Sequence, residues 1–294
     1  MAKVAFLGLG VMGYPMAGHL AQGGHSVTVY NRTTARAEAW LDDYSGHSAG
    51  TPAKAADESE FVMCCVGNDD DLRSVCLGVE GAFQGMDAGA VFVDHSTVSA
   101  QVTYELAATA EERGIGYVDA PVSGGQAGAE NGVLSIMCGG GGSSFDRAEP
   151  VMGSYARICR RLGPTASGQL AKMVNQICIA GLIQSLAEGL NFAVEAGLDG
   201  ETLVEVISQG AAGSWQMENR YASMLAGDFD FGFAVDLMRK DLGICLQTAD
   251  EIGVSLPITA LVDQFYRDVQ NMGGGRWDTS GLIERLRRLD DRGE

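Results

Sequence analysis

The sequence Gly8-Leu9-Gly10-Val11-Met12-Gly13 decides the fold, because it matches the pattern G-x-G-x-x-G directly after the apolar run 4–7. A helical pattern follows it to about residue 22. In such a strand-turn-helix unit the first glycine permits a tight turn, and the second lets backbone amides approach a diphosphate. The third lets the helix lie close to the strand. All six residues are therefore predicted to bind a dinucleotide, and a glycine-rich turn that binds nothing is the weaker alternative.

Short apolar runs typical of strands alternate with helical patterns through the first half of the chain. These runs are residues 4–7, 26–30, 61–66, 91–94, 115–119, 133–138 and 156–159. Such alternation predicts a mainly parallel, doubly wound sheet with helices on both faces. The pattern stops near Gly163-Pro164. We therefore predict an α/β, Rossmann-type dinucleotide-binding domain over residues 1–164.

The second half of the chain has a helical period instead. Apolar residues spaced three or four apart predict one buried helix face formed by Leu170, Met173, Val174, Ile177, Leu182, Ile183, Leu186 and Leu190. Residues 167–196 predict a single interdomain helix about 45 Å long. An all-α domain for substrate binding and dimerisation is expected over residues 165–294, with a charged amphipathic tail from Leu282 onward.

Composition excludes several classes of partner. The 294 residues include 20 Lys and Arg against 38 Asp and Glu, a net charge of −18. This balance repels nucleic acid and anionic membranes, so neither is an expected partner. Seven cysteines and four histidines show no metal-ligand spacing, and no metal site is predicted. The N-terminus has no leader pattern and we expect no membrane-spanning run, so the expected location is cytoplasmic.

The end of the second strand bears on the choice of dinucleotide. A carboxylate that would bind the ribose hydroxyls of NAD is absent from Tyr30-Asn31-Arg32-Thr33. The guanidinium of Arg32, with Asn31 and Thr33 beside it, suits the 2′-phosphate of NADP. NADP is the preferred cofactor and NAD remains possible, while a solvated arginine at a helix start is the alternative interpretation.

Lys172 is the candidate proton donor. Hydride transfer to a carbonyl generates an alkoxide, which needs a positioned acid. On a helix, Asn175 and Gln176 lie three and four residues beyond Lys172, so the three side chains form a polar stripe. Apolar neighbours predict that this stripe faces a partly dry cleft.

Several motifs together make the chain resemble the β-hydroxyacid dehydrogenase family, which includes 3-hydroxyisobutyrate dehydrogenases and glyoxylate/succinic semialdehyde reductases. The resemblance extends from end to end. The motifs are the segment 8–17, Asp94-His95-Ser96-Thr97-Val98-Ser99, Asp119-Ala120-Pro121-Val122-Ser123-Gly124-Gly125, the segment 168–175, and Lys240-Asp241-Leu242.

The resemblance implies roles for further residues. Lys172 would be the catalytic acid/base, and the substrate would be bound by Ser123, Gly124, Gly125, Asn175, Phe233 and Asp241. Contacts to the cofactor would come from Val66, Gly67, Thr97 and Lys240. Gly67-Asn68 departs from a leucine-proline pair common in relatives, Ala100 stands where proline is common, and Gln176 stands where a second asparagine is common.

Two other motifs are set aside. Adjacent residues of Asp94-His95-Ser96 point in alternating directions and cannot form a hydrolytic triad. The glycines 139–142 lack the lysine of a phosphate-binding loop, which predicts a flexible turn with a helix cap.

The expected function is hydride exchange between NADP(H) and a small 3-hydroxy acid or semialdehyde acid, in a homodimer or homotetramer. An imine reductase on the same scaffold is the first alternative. A dinucleotide-binding scaffold or sensor without catalysis is the second. Trp215 and Arg220 could border the substrate pocket or a subunit contact, and the sequence does not separate these interpretations.

Overall fold

The computed structural model describes residues 1–290, and the last four residues of the predicted amphipathic tail lie outside this range. The chain forms two compact units that divide between Lys172 and Met173. This division falls inside one long helix. The boundary predicted at residue 164 stays a prediction.

Nine strands form a single sheet in the first unit. They are β1 Lys3–Leu7, β2 Ser26–Tyr30, β3 His47–Ser48, β4 Phe61–Cys64, β5 Val91–Asp94, β6 Gly116–Asp119, β7 Val122–Ser123, β8 Leu134–Gly140 and β9 Ala156–Gly163. Their order is β3-β2-β1-β4-β5-β6-β8-β7, with β9 paired to β8. The pairs are parallel except that β8 runs antiparallel to β6 and β7. The predicted mainly parallel α/β sheet is confirmed.

Helices cover both faces of this sheet. One face carries α1 Gly13–Gln22, α2 Thr34–Asp43, α7 Gly125–Glu130 and α8 Gly142–Met152. The other carries α3 Pro52–Ala56, α4 Asp69–Leu77, α5 Ala82–Gly85 and α6 Ala100–Glu112. Alternate residues of β1 enter the two cores, with Phe6 in the first and Leu7 in the second. Both faces of the strand are apolar because both are buried.

The prediction of a flexible turn at residues 139–142 was wrong for its first half. Gly139 and Gly140 belong to β8 and pair with Asp119 and Val118 of β6. A Cβ atom on Gly139 would lie 2.6 Å from Asp119 Oδ1 and 2.7 Å from the Ser167 nitrogen. These glycines therefore permit close packing within the sheet. Strands β3 and β7 were not predicted, because two residues are too few to show a period.

The second unit is helical. After α9 Ser167–Glu195 come α10 Gly200–Ile207, α11 Trp215–Ala226, α12 Val235–Ile252, α13 Pro257–Asn271, a short 3-10 turn Thr279–Gly281 and α14 Leu282–Asp290. Their apolar faces meet in one core around Tyr266, Met238 and Leu242. The predicted helical second domain is confirmed.

The predicted buried face of α9 was partly wrong. Leu170, Val174 and Leu182 are exposed, whereas Met173 and Ile183 are buried. Apolar residues occupy more than one side of this helix, so its period does not identify the covered side. By length and composition α9 could also cross a membrane, contrary to the expectation that no such run exists. Core helices of soluble proteins meet the same criterion.

Candidate active site

The glycine-rich turn between β1 and α1 has the geometry of a diphosphate site. Gly8 has a φ of 96°, and a Cβ atom there would overlap the carbonyl oxygen of Cys65. A Cβ atom on Gly13 would overlap the carbonyl oxygen of Gly8. Gly10 differs, because a Cβ atom there would meet no atom of residues 1–290 within 4 Å. Backbone packing therefore requires glycine at positions 8 and 13. The open surface at Gly10, just before the N-terminus of α1, fits a bound dinucleotide.

Asn31 holds this turn in place. Its Oδ1 accepts a hydrogen bond of 2.9 Å from the Leu9 amide, and its Nδ2 donates to the Thr33 carbonyl at 3.0 Å. The Leu9 amide is thus directed at Asn31. The amides that follow Leu9 in the turn are the better candidates for a diphosphate.

Two arginines lie beside the turn. Arg32 is exposed, and its Nη1 is 3.1 Å from Asp71 Oδ1. Arg36 donates from Nη1 to the Leu9 carbonyl at 3.2 Å. A cavity of about 160 Å³ between the ends of β2 and β3 is lined by residues that include Asn31 and Arg32. Sequence analysis missed Arg36, because its contact with the Leu9 carbonyl joins residues 27 apart in the sequence.

The ends of β4 and β5 are joined by Ser96. Its Oγ accepts a hydrogen bond of 2.9 Å from the Val66 amide, and its own amide donates to Asp94 Oδ1 at 2.9 Å. Burial raises the pKa of the Asp94 carboxyl to about 7. Ser96 thereby ties the segment of Val66 and Gly67 to the segment of Thr97 at the carboxyl edge of the sheet, where ligands bind in doubly wound folds.

His95 is a buried structural residue. Its Nδ1 lies 2.7 Å from the Ala120 carbonyl, which can only accept, so Nδ1 carries the proton. Its Nε2, 2.8 Å away, then accepts from the Tyr155 hydroxyl. Burial lowers the pKa of His95 to about 4. These contacts hold a neutral imidazole in the core.

Asp119 fixes the start of α9 and was missed by sequence analysis. Its carboxylate accepts hydrogen bonds from the amides of Ala166, Gly168 and Gln169 at 2.9, 2.8 and 3.1 Å. Burial raises the pKa of Asp119, and these backbone hydrogen bonds oppose the rise. A Cβ atom on Gly168 would lie 2.6 Å from the Asp119 carbonyl oxygen. The carboxylate therefore caps the helix that carries Lys172.

Gln169 connects the same helical turn to Thr97. Its Oε1 accepts from the Val98 amide at 3.2 Å, and its Nε2 donates to the Ser96 carbonyl at 2.8 Å. The two bonds hold the backbone on both sides of Thr97, whose side chain stays partly exposed. Lys172 lies three residues after Gln169 and is buried, with 8% of its surface exposed.

The predicted carboxylate-binding segment forms a tight turn. Ser123 ends β7, where it pairs with Ser135 of β8. Gly124 and Gly125 have φ values of 137° and 62°, which side chains rarely adopt. Among the described residues, a Cβ atom on Gly125 would meet no atom within 4 Å, so the backbone there is open to an anion.

In the second unit, Gln176 joins two predicted substrate residues. Its Oε1 accepts from Asn175 Nδ2 at 2.8 Å, and its Nε2 donates to Asp241 Oδ2 at 2.7 Å. Lys240 Nζ lies 3.1 Å from the other oxygen of Asp241. Gln176 and Asp241 are both 2% exposed. Gln176 was predicted only as a member of the polar stripe, and it is the hydrogen-bonded centre of a network of four residues.

Phe233 belongs to a different cluster of the second unit. Its amide donates to Asp278 Oδ2 at 2.9 Å, and Asp278 Oδ1 lies 3.2 Å from Arg220 Nε. The Arg220 guanidinium lies 5.0 Å from the Trp215 ring centroid and 5.1 Å from that of Phe231. Arg220 therefore contributes to the support of the segment that carries Phe233.

Comparison with known proteins identifies the class. Residues 3–163 match the family model described as the NAD binding domain of 6-phosphogluconate dehydrogenase. Residues 166–286 match the model described as NAD-binding of NADP-dependent 3-hydroxyisobutyrate dehydrogenase. The chain belongs to the 3-hydroxyisobutyrate dehydrogenase-like β-hydroxyacid dehydrogenase family. It is an NAD(P)-dependent oxidoreductase of that family.

Three similar proteins illustrate the match. An uncharacterized oxidoreductase of Shewanella frigidimarina is 61% identical over 98% of this chain and 99% of its own. The probable 3-hydroxyisobutyrate dehydrogenase-like 1 of Arabidopsis thaliana, a mitochondrial protein, is 40% identical over 98% of this chain and 86% of its own. The structure of Mycobacterium tuberculosis 3-hydroxyisobutyrate dehydrogenase with L-serine has a TM-score of 0.89 at 29% identity, covering 98% and 99% of the two chains.

Proposed function

We propose that this enzyme prefers NADP(H) and exchanges a hydride with a small 3-hydroxy acid or semialdehyde acid, with Lys172 as the general acid/base. One observation carries the proposal: the first turn of α9 is held by hydrogen bonds to two different segments of the first unit. Asp119 ties the start of α9 to the end of β6, and Gln169 ties it to the backbone on both sides of Thr97. Lys172 lies in the next turn of this helix.

The substrate carboxylate is bound by the Ser123 hydroxyl and by the backbone at Gly124 and Gly125. Positive φ values in two successive residues make this turn suited to an anion in a chain whose net charge is −18. A substrate without a carboxylate would lose this contact, which favours hydroxy acids over cyclic imines.

A bound nicotinamide supplies or accepts the hydride. During reduction Lys172 donates a proton to the oxygen of the carbonyl, and during oxidation it removes the proton from the hydroxyl. Thr97 lies beside this reaction on the segment held by Gln169. Asn175, Phe233 and Asp241 orient the substrate.

The NADP preference is supported by Arg32, with Arg36 as a second cation near the glycine-rich turn. The family model that matches the second half of the chain is described as NADP-dependent, which agrees with this choice. A homodimer or homotetramer and a cytoplasmic location stay predictions, as does the absence of nucleic-acid and membrane partners.

A substrate screen tests the proposal. Absorbance of the reduced nicotinamide is followed with NADPH and NADH against glyoxylate, small semialdehydes and cyclic imines, and with NADP and NAD against 3-hydroxyisobutyrate and serine. Turnover of an aldehyde or hydroxy acid that is faster with the phosphorylated cofactor is expected. Turnover of cyclic imines alone would establish the imine reductase instead, and no turnover with any compound would favour the scaffold or sensor.

A further inference from the structure

Arg32, the predicted 2′-phosphate ligand, is paired with an acid. Arg32 follows β2, and its guanidinium is paired at 3.1 Å with Asp71, in the first turn of α4. The Arg32 side chain is 85% exposed and the Asp71 side chain 31% exposed. The guanidinium is therefore open to a ligand on the side away from this carboxylate.

The position of Asp71 is fixed by the start of its helix. The Asp71 amide donates to Asn68 Oδ1, the capping residue of α4, at 2.8 Å. A Cβ atom on Gly67 would lie 3.1 Å from Asp71 Oδ2, so the carboxylate lies over Gly67. The backbone thus holds Asp71 in place.

The two preceding acids have other partners. Asp69 accepts hydrogen bonds from the amide and the hydroxyl of Ser99 at 3.0 and 2.5 Å. Asp70 is 96% exposed and lies 3.4 Å from Arg73. Of the three consecutive aspartates, Asp71 is the one paired with Arg32.

We propose that Asp71 determines how strongly the enzyme discriminates between NADP and NAD, because its carboxylate opposes the binding of the 2′-phosphate to Arg32. The inference rests on the NADP preference proposed above. A phosphate that binds the same guanidinium comes close to Asp71, and a monoester carries a charge of about −1.5 to −2 at neutral pH. The carboxylate repels it and occupies part of the guanidinium. Asp71 thereby narrows the difference in affinity between NADP and NAD.

Binding of cofactor fragments tests this without turnover. Isothermal titration calorimetry gives the Kd of the full-length protein for 2′,5′-ADP and for 5′-AMP. The difference between the two values isolates the contribution of the 2′-phosphate. We expect Asp71→Asn to tighten 2′,5′-ADP about fivefold and to leave 5′-AMP unchanged. Asp70→Asn is the matched control, because it removes the same charge one residue away without touching Arg32, and it is expected to change binding much less.

A double-mutant cycle with Arg32→Ala completes the test. In that background Asp71→Asn should have no greater effect than Asp70→Asn. Equal effects of the two aspartate variants in the presence of Arg32 would overturn the inference, as would weaker 2′,5′-ADP binding in Asp71→Asn. If the wild-type protein and Asp71→Asn both bind 2′,5′-ADP no more tightly than 5′-AMP, the NADP preference itself fails. If wild type binds 2′,5′-ADP more tightly than 5′-AMP but Asp71→Asn and Asp70→Asn bind 2′,5′-ADP equally, only the role of Asp71 is overturned.

Discussion

The Asp119 carboxylate accepts a hydrogen bond of 2.8 Å from the Gly168 amide, which fixes the end of β6 to the first turn of α9. The amides at the start of a helix have no partner within the helix, so a buried carboxylate is an effective cap. This contact lies between the segment that leads to Ser123 and the helix that carries Lys172. Disruption of the cap should therefore affect both stability and catalysis.

Removal of the Asp119 carboxylate should destabilise the protein. Asp119→Ala leaves three buried amides without their acceptor, and we expect the free energy of unfolding to fall by about 3 kcal/mol. Urea denaturation followed by circular dichroism measures this loss. Asp119→Asn keeps one acceptor oxygen and should lose less, so equal losses in the two variants would contradict the capping role.

Two glycines of the same turn should respond differently to alanine. A Cβ atom on Gly13 overlaps backbone, whereas one on Gly10 meets open space. Gly13→Ala should lower the free energy of unfolding by about 2 kcal/mol or more. Gly10→Ala should keep the stability of the free protein and lose most of the rise in melting temperature that NADPH produces. An unchanged rise in Gly10→Ala would show that no diphosphate binds above Gly10.

Lys172→Met should lower kcat by a factor of about 100 or more while NADPH binding is retained, because the unbranched side chain is only one atom shorter and has no proton to donate. Stopped-flow turnover and fluorescence titration measure the two properties. Lys54→Met, at an exposed position in α3, is the matched control and should be unaffected. Turnover of Lys172→Met close to the wild-type rate would exclude the lysine as acid/base.

Gln176→Leu should lower kcat about tenfold, because Asn175 and Asp241 lose the side chain that joins them. The Kd of NADPH should remain unchanged. Gln184→Leu removes another buried glutamine of α9, whose bond to Glu188 stays within the helix. Equal losses of kcat in the two variants would indicate general damage to α9, contrary to a positioning role for Gln176.

Stability should depend on pH through His95. The pKa of His95 is about 4 in the folded protein, below its ordinary value of about 6.5. As pH falls from 6.5 toward 4, the unfolded chain binds a proton that the folded protein does not, so stability is lost. At pH 5 this loss is about 2 kcal/mol.

Replacement of His95 isolates this contribution from other titrating groups. Asp94 acts in the opposite direction. Its pKa is about 7 in the folded protein, so below that pH the folded protein binds a proton before the unfolded chain does, and stability rises. The measurement is the difference in the free energy of unfolding between pH 7.5 and pH 5. Relative to wild type, His95→Gln should raise the free energy of unfolding at pH 5, compared with that at pH 7.5, by about 2 kcal/mol. An unchanged difference would mean that His95 is not held neutral.

The sequence by itself determined the features that depend on local backbone and on residue period. The spacing of Gly8, Gly10 and Gly13 predicted the tight turn, because the backbone leaves little room for a side chain at Gly8 and Gly13. The strand and helix patterns predicted an α/β unit followed by a helical one. The helix predicted over residues 167–196 is found at Ser167–Glu195. Family motifs added candidate site residues, and their roles stay predictions.

Only the tertiary structure decided which polar side chains support the candidate site residues within each unit. Asp119 meets an amide 49 residues later, Gln169 meets a carbonyl 73 residues earlier, and Gln176 meets an acid 65 residues later. The tertiary structure also decided which residues of α9 are buried. A hydrogen bond between distant segments depends on how the whole sheet and the helices pack, and such a contact leaves no period or spacing in the sequence from which it could be predicted.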